Sequence, residues 1–234
     1  MHAASIGETA ILMLAAFVLA GAGVRTAQAA QPVLVELFTS EGCSSCPPAD
    51  ALLRRLVTNQ PVSGVHIVAL EEHVDYWNGA GWRDPFSAAE FTRRQRQYAA
   101  AMPEDGVYTP QMVVNGRAAF VGSNSRRARA AISAAGKRPL ATISLHATYK
   151  EKGGLTLHIT THHPPSGVRD RSVELWLAIT EDHLSSRVTG GENGGRDLRH
   201  DAVVRKLERL ARISTSKMDG DPRRGRLRSS PVGC

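Results

Sequence analysis

The sequence predicts an α/β fold in which an α/β domain over about residues 32–138 is followed by a small antiparallel β unit over about 139–211. Three observations lead there. A Cys-x-x-Cys pair, Cys43 and Cys46, lies between an apolar β-prone run and a segment of helical spacing. Apolar runs then alternate between strand and helix character as far as Gly136. From Leu140 the pattern changes to period two, as in strands with one covered face.

The chain opens with an apolar run from Ile11 to Val24, short for a bilayer span, followed by Ala27-Gln28-Ala29. That combination predicts a secretory signal over residues 1–30, cleaved near Ala29 or Ala30, although residues 1–10 carry no Lys or Arg. Val33–Phe38 reads as the first strand. Pro47-Pro48 then opens a helix with Ala49, Leu52, Leu53 and Leu56 on one face, since proline suits a first turn whose N–H groups lack intrahelical partners. The cysteines therefore sit at a helix N-terminus, where partial positive charge favours thiolate, and Cys43 is expected to be the more exposed sulfur.

Val65–Leu70 reads as a strand covered on both faces. Ser87-Ala88-Ala89-Glu90 matches a capping box, opening a helix with Phe91, Gln95, Tyr98 and Met102 on one stripe. Gln111–Val114 and Ala118–Val121 flank Asn115-Gly116, a hairpin signal, and a last helix runs from about Ser125 to Ala135 with Gly136 as its C-cap. Strand, helix, strand, helix, strand, strand, helix is the connectivity of a thioredoxin fold. Tyr108-Thr109-Pro110 stands just before the third strand, and in thioredoxin-like proteins a cis proline at this point faces the dithiol and leaves the preceding backbone free to pair with a substrate chain.

Beyond Leu140, alternation at Ile143–Ala147, Leu155–Ile159 and Val173–Ile179 predicts an antiparallel meander. A Gly-rich loop, Gly190–Gly195, and a helix from about His200 to Ala211 follow. Residues 212–234 lack apolar periodicity and read as a disordered basic tail, in which Cys234 is given no role. The formal charge of +7 is concentrated there: residues 212–228 carry a net +4, leaving both signs interspersed over the body. That excludes a nucleic-acid footprint.

Several long motifs resemble one family. Thr39-Ser40-Glu41-Gly42-Cys43-Ser44-Ser45-Cys46-Pro47-Pro48-Ala49-Asp50, His73-Val74-Asp75-Tyr76-Trp77-Asn78, Gly81-Trp82, Phe91-Thr92-Arg93-Arg94-Gln95 and Tyr108-Thr109-Pro110-Gln111 are similar to those of the thioredoxin-like secreted bacterial proteins grouped as domain of unknown function 1223. Glu192–Arg196 with Leu198, His200 and Val203–Arg205 resembles its C-terminal motif. The resemblance covers about residues 32–205 and implies fold and export, with no established activity. After about Leu210 the chain departs from the pattern, as a truncated or frame-shifted gene would, and an unpaired edge of the β unit is expected there.

Three functional readings stay open. In the first, the chain is an exported, periplasmic thiol-disulfide oxidoreductase. Cys43 is its nucleophile and Cys46 resolves the mixed disulfide. Its partners are protein or small-thiol disulfides, with a membrane reductase as electron source, and it needs no cofactor. In the second, Cys43, Cys46 and His73 bind a metal, as in a metallochaperone. In the third, the disulfide is structural in a binding module. Thr109, Pro110, Trp77 and Trp82 are the candidate walls of a substrate groove, with His73, Asp75 and Tyr76 supporting it. Glu192–Arg205 is expected to bridge the β unit to the first domain.

Overall fold

The computed structural model describes residues 30–102, 106–138, 142–149, 155–162 and 172–214. It is a mixed α/β fold built on a central mixed sheet with few helices. The expected signal and nearly all of the expected tail, Cys234 included, lie outside the described residues. Among the described residues no helix is long and apolar enough to cross a membrane.

β1 (Gln31–Thr39) pairs parallel with β2 (Val65–His73) and antiparallel with β3 (Gln111–Val114), which pairs antiparallel with β4 (Ala118–Val121). Alternation divides these strands between two faces. On one face Val33, Val35 and Leu37 meet α1 (Pro47–Asn59) through Leu52, Leu53 and Leu56, and α3 (Ser125–Ala135) through Ala128 and Ile132. On the other, Phe38 and Val113 meet Tyr98 of α2 (Ala89–Ala101) and Met102, its C-cap. The Asn115-Gly116 turn has both residues at positive φ, as a two-residue hairpin requires. Gly136 is fixed by a close approach, since a Cβ there would stand 2.4 Å from Val65 Cγ2.

Four expectations are corrected. α2 has Ala88 as its N-cap with no side-chain cap, because the Ser87 hydroxyl instead donates to the Asp84 carbonyl at 2.8 Å. The first half of β2 is covered on one face only, with His66 and Val68 exposed. The three period-two segments do not form a meander. β5 (Thr142–Tyr149) and β6 (Leu155–His162) make a two-stranded hairpin, whereas β7 (Ser172–Glu181) leaves them to pair with the chain's last strand.

The fourth correction is that last strand. Residues expected as a helix from His200 to Ala211 form the end of β9 (Asp197–His200) and then β10 (Val203–Ser214), which also takes in residues 212–214 of the expected tail. β9 pairs with β8 (Leu184–Arg187). The helical spacing of Val204 and Leu207 misleads because β10 carries irregularities between Val204 and Lys206 and between Arg209 and Ala211. A bulge inserts one residue and keeps positions three apart on one face. Val204 and Leu207 thus both pack beside Leu70 and Phe91. β10 also pairs parallel with β2 at Val203 and Glu71, so the sheet runs β4-β3-β1-β2-β10-β7 and joins both halves of the chain.

Phe91, 1% exposed, packs with Val204 from β10 and Leu70 from β2. We expect Phe91→Ala to lower stability by about 3–5 kcal/mol in urea titrations. The unfolding should remain one transition, because both halves share that cluster. Two separate transitions would mean that they fold independently.

Candidate functional site

Between β1 and α1 lies a loop closed by the Cys43–Cys46 disulfide, with Cα atoms 5.4 Å apart. The loop is held by its own backbone: Cys43 N–H donates to the Ser40 carbonyl at 3.2 Å and Cys46 N–H to the Cys43 carbonyl at 3.1 Å. Cys46 is the N-cap of α1. Pro47 and Pro48 have no N–H, and those of Ala49 and Asp50 both go to the Cys46 carbonyl. The first donors of the helix are therefore turned on Cys46. The polar neighbour of Cys43 Sγ is Ser45 Oγ, at 3.4 Å.

Cys43 was expected to be the more exposed sulfur; at 1% exposed against a fully buried Cys46, both are covered. The cause is the Gly-rich loop. A 3-10 turn over Gly191–Asn193 lies against the disulfide loop, and Asn193 Nδ2 donates to the carbonyls of Glu41 (2.8 Å) and Cys43 (2.9 Å). Arg196 Nη1 holds the Asn193 side-chain oxygen at 3.0 Å. Outside, the Glu192 carboxylate accepts from Ser44 N–H at 2.9 Å. Glycine is obligatory at 190, where a Cβ would stand 2.3 Å from the Gly81 carbonyl. Ser44 and Ser45 remain the exposed part of the disulfide loop.

The aromatic segment after β2 forms the adjoining wall. Trp77 lies against Gly42 and donates from Nε1 to Thr109 Oγ1 at 2.8 Å. Trp82 Nε1 donates to Glu41 Oε2 at 2.8 Å. The Thr109–Pro110 bond is cis, and Pro110 lies across Gly122 from Ala49 of α1. Trp77 and Trp82 thus lie on the loop that carries Cys43 and Cys46, Thr109 joins it through Trp77, and Pro110 stands beside the first helix. Asp75 faces away to α2, where Thr92 Oγ1 donates to its Oδ1 at 2.5 Å, while Tyr76 OH donates to Gln95 of α2 at 3.2 Å and also meets Thr109.

His73 belongs to a different grouping beneath the loop. Glu71 and His73 project to the α1 face of β2, where His200 from β9, Glu41, Asp50 and Asp84 join them, all at least nine-tenths buried. His73 Nδ1 is 2.7 Å from Asp84 Oδ2, which also accepts from Glu41 N–H. His200 Nδ1 is 2.7 Å from Glu71 Oε1. Burial works against a charged His73, but the Asp84 and Glu71 carboxylates outweigh it and push its pKa up to about 10. For His200, Glu41 and Glu71 outweigh burial in the same way and push it up to about 9. Burial, reinforced by Glu71, pushes Asp50 up to about 7. On the opposite face of the sheet, burial and the neighbouring Glu36 push Glu72 well above the ordinary carboxylate range.

The sequence profile of the protein family of unknown function DUF1223 matches residues 34–226. The chain belongs to the DUF1223 family. The match runs past Leu210, so the family pattern continues into the segment expected to have left it. Among solved structures, the protein AGR_C_4864 from Agrobacterium tumefaciens is similar, with a TM-score of 0.61 and 28% identity over 80% of this chain and 76% of that one. HBP35 of Porphyromonas gingivalis is similar in fold, with a TM-score of 0.55 and 13% identity over 77% and 60% of the two chains. Comparison with curated proteins returns no match.

Sequence reasoning on this DUF1223 chain missed Glu41, Asp50, Glu71 and Asp84 as members of a buried set. The signal was present in Leu70-Glu71-Glu72-His73, acidic residues that close an apolar strand and must find partners if buried. The Glu192–Arg205 motif does bridge the two halves, with Glu192, Asn193 and His200 among the residues that cross. Removing the two Asn193 bonds with Asn193→Ala, at about 1 kcal/mol each, should raise the open population of the loop roughly thirtyfold. Dithiothreitol should then reduce the disulfide of the folded variant faster by about that factor, read by timed alkylation and mass spectrometry. An unchanged rate would mean that the loop does not limit access.

Proposed function

We propose that this chain is a thioredoxin-like thiol-disulfide oxidoreductase of an exported compartment, acting through Cys43 and Cys46. The observation that carries the reading is a disulfide of Cys-x-x-Cys cysteines at a strand-to-helix junction, with Trp77 against the loop and bonded to Thr109. The order of elements from β1 to α3 supports the same reading. Export is supported by the apolar run and Ala27-Gln28-Ala29 at the start, and by a dithiol resting as a disulfide, which suits an oxidising compartment.

The reaction follows from exchange chemistry. In the reduced state the Cys43 thiolate attacks one sulfur of a substrate disulfide, and the other substrate sulfur leaves as thiolate with the bond's electron pair. The Cys46 thiolate then attacks Cys43 Sγ of the mixed disulfide. The second substrate sulfur leaves, and the Cys43–Cys46 bond is restored. The substrate gains two electrons, and the protein dithiol is oxidised. A thiol donor, with a membrane reductase as the expected source, returns the protein to the dithiol. Because Cys43 is covered, both steps require the Gly191–Asn193 turn to swing away from the Cys43 carbonyl.

The metallochaperone reading loses support from the placement of His73. Its ring is committed to Asp84 and lies with Glu71 and His200, the group that could hold an ion. A Cys46→Ser variant tests the oxidoreductase reading. Incubated with glutathione disulfide, it should accumulate a mixed disulfide at Cys43, mapped by peptide mass spectrometry. Cys43→Ser should accumulate far less. Equal trapping by both variants, or by neither, would overturn the assignment of Cys43 as nucleophile.

A further inference from the structure

We propose that Glu71, His73 and His200 hold a divalent cation of the zinc class, with Glu41 closing a fourth position, beneath the disulfide loop and separate from it. The Glu71, His73 and His200 ligand atoms all lie within 4.8 Å of one another, with Glu41 Oε1 3.2 Å from His200 Nε2, and the residues are at most 2% exposed. Glu71 and His73 are two apart on β2 and share a face, while His200 ends β9, so the site spans the two halves of the chain.

Two orphaned atoms point to the ion. His73 Nδ1 meets the Asp84 carboxylate, which accepts and does not donate, so Nδ1 keeps its proton and Nε2 is the nitrogen that an ion takes, releasing the second proton that the carboxylates otherwise hold on the ring. That Nε2 is buried, has no hydrogen-bond partner among the described residues, and lies 3.5 Å from Glu71 Oε1. His200 presents the same picture: its Nδ1 lies on Glu71, and its Nε2 is buried without a hydrogen bond, 3.2 Å from Glu41 Oε1. Buried ring nitrogens are rarely left unpaired, and two in one cluster call for a shared partner.

The spacing suits an ion. Four ligands at about 2.1 Å in a tetrahedron stand about 3.4 Å apart. The 3.5 Å from His73 Nε2 to Glu71 Oε1 and the 3.2 Å from His200 Nε2 to Glu41 Oε1 each match that, and small side-chain rotations within the 4.8 Å cluster bring the two pairs onto one ion. Imidazole nitrogens with carboxylate oxygens are a donor set for zinc and its first-row neighbours. Asp84 completes a carboxylate–histidine–metal arrangement by orienting His73 from behind, as outer partners of metal-bound histidine do. The Glu41, Glu71 and Asp84 carboxylates supply negative charge for a dication in a volume closed to water. Such a site loads as the chain folds and ties β9 to β2.

The full chain, carrying no histidine tag, would be unfolded with chelator and refolded either with zinc or with chelator, then dialysed and assayed by plasma mass spectrometry. We expect about one equivalent of zinc per chain and a higher melting temperature for the zinc-refolded protein. The Cys43→Ser, Cys46→Ser double variant should bind as much. His73→Gln should lose at least tenfold in occupancy. Cobalt(II) bound to the native chain should show visible d–d bands without thiolate charge-transfer absorption, a readout that needs no folded variant. Three results would overturn the proposal: less than about a tenth of an equivalent in the refolded native chain, binding lost in the cysteine variant, or thiolate charge transfer in the cobalt spectrum.

Discussion

Everything around the disulfide depends on how buried charge is paired beneath it. Glu41, Glu71 and Asp84 are almost fully buried carboxylates, and His73 and His200 lie between them. Charges in such a place require partners of opposite sign, and removing one partner leaves the others costly. Since His200 and Asn193 come from the C-terminal part of the chain, that requirement draws residues 184–204 against the β1–α1 loop. The Val203 pairing with Glu71 and the Phe91–Val204 contact then extend one sheet across both parts.

Glu41 is the node of this arrangement. Its N–H donates to Asp84, its carbonyl accepts from Asn193, and its carboxylate accepts from Trp82 and from Ser186. It lies two residues before Cys43, so the backbone entering the disulfide is clamped on three sides. A clamp of this kind holds the Cys43 and Cys46 sulfurs in one geometry and hides them from solvent. On the proposed oxidoreductase reading, access to the sulfur requires displacing Glu192 and Asn193 from Ser44 and Cys43. The bonds that hold the turn are few and, at Glu192, solvent-exposed.

Local rules made much of this legible. β3, β4 and α3 follow from the Asn115-Gly116 turn, the Ser125 start and the Gly136 stop, because their periodicity agrees with their packing. The helix expected over His200–Ala211 failed where tertiary pairing with β7 and two bulges overrode a 3.6-residue spacing. Ser87 failed as a cap because Asp84 and Asn78 were nearer competitors for its hydroxyl. At the site, Cys43, Cys46, Trp77 and Thr109 announced themselves by type and position. The cover over Cys43 did not, since a side chain 150 positions away makes it. The buried carboxylates were also illegible as a set, because adjacent residues such as Glu71 and Glu72 serve opposite faces of the sheet.

Redox equilibrium of the folded chain tests the central claim most directly. The native protein would be equilibrated in glutathione buffers of graded potential, with thiols counted by alkylation and folding followed by circular dichroism. The account predicts reversible two-electron reduction of Cys43–Cys46, with a midpoint between about −180 and −270 mV and an unchanged spectrum. A midpoint below about −300 mV, or thiols appearing only as the spectrum collapses, would mark the disulfide as structural and contradict it.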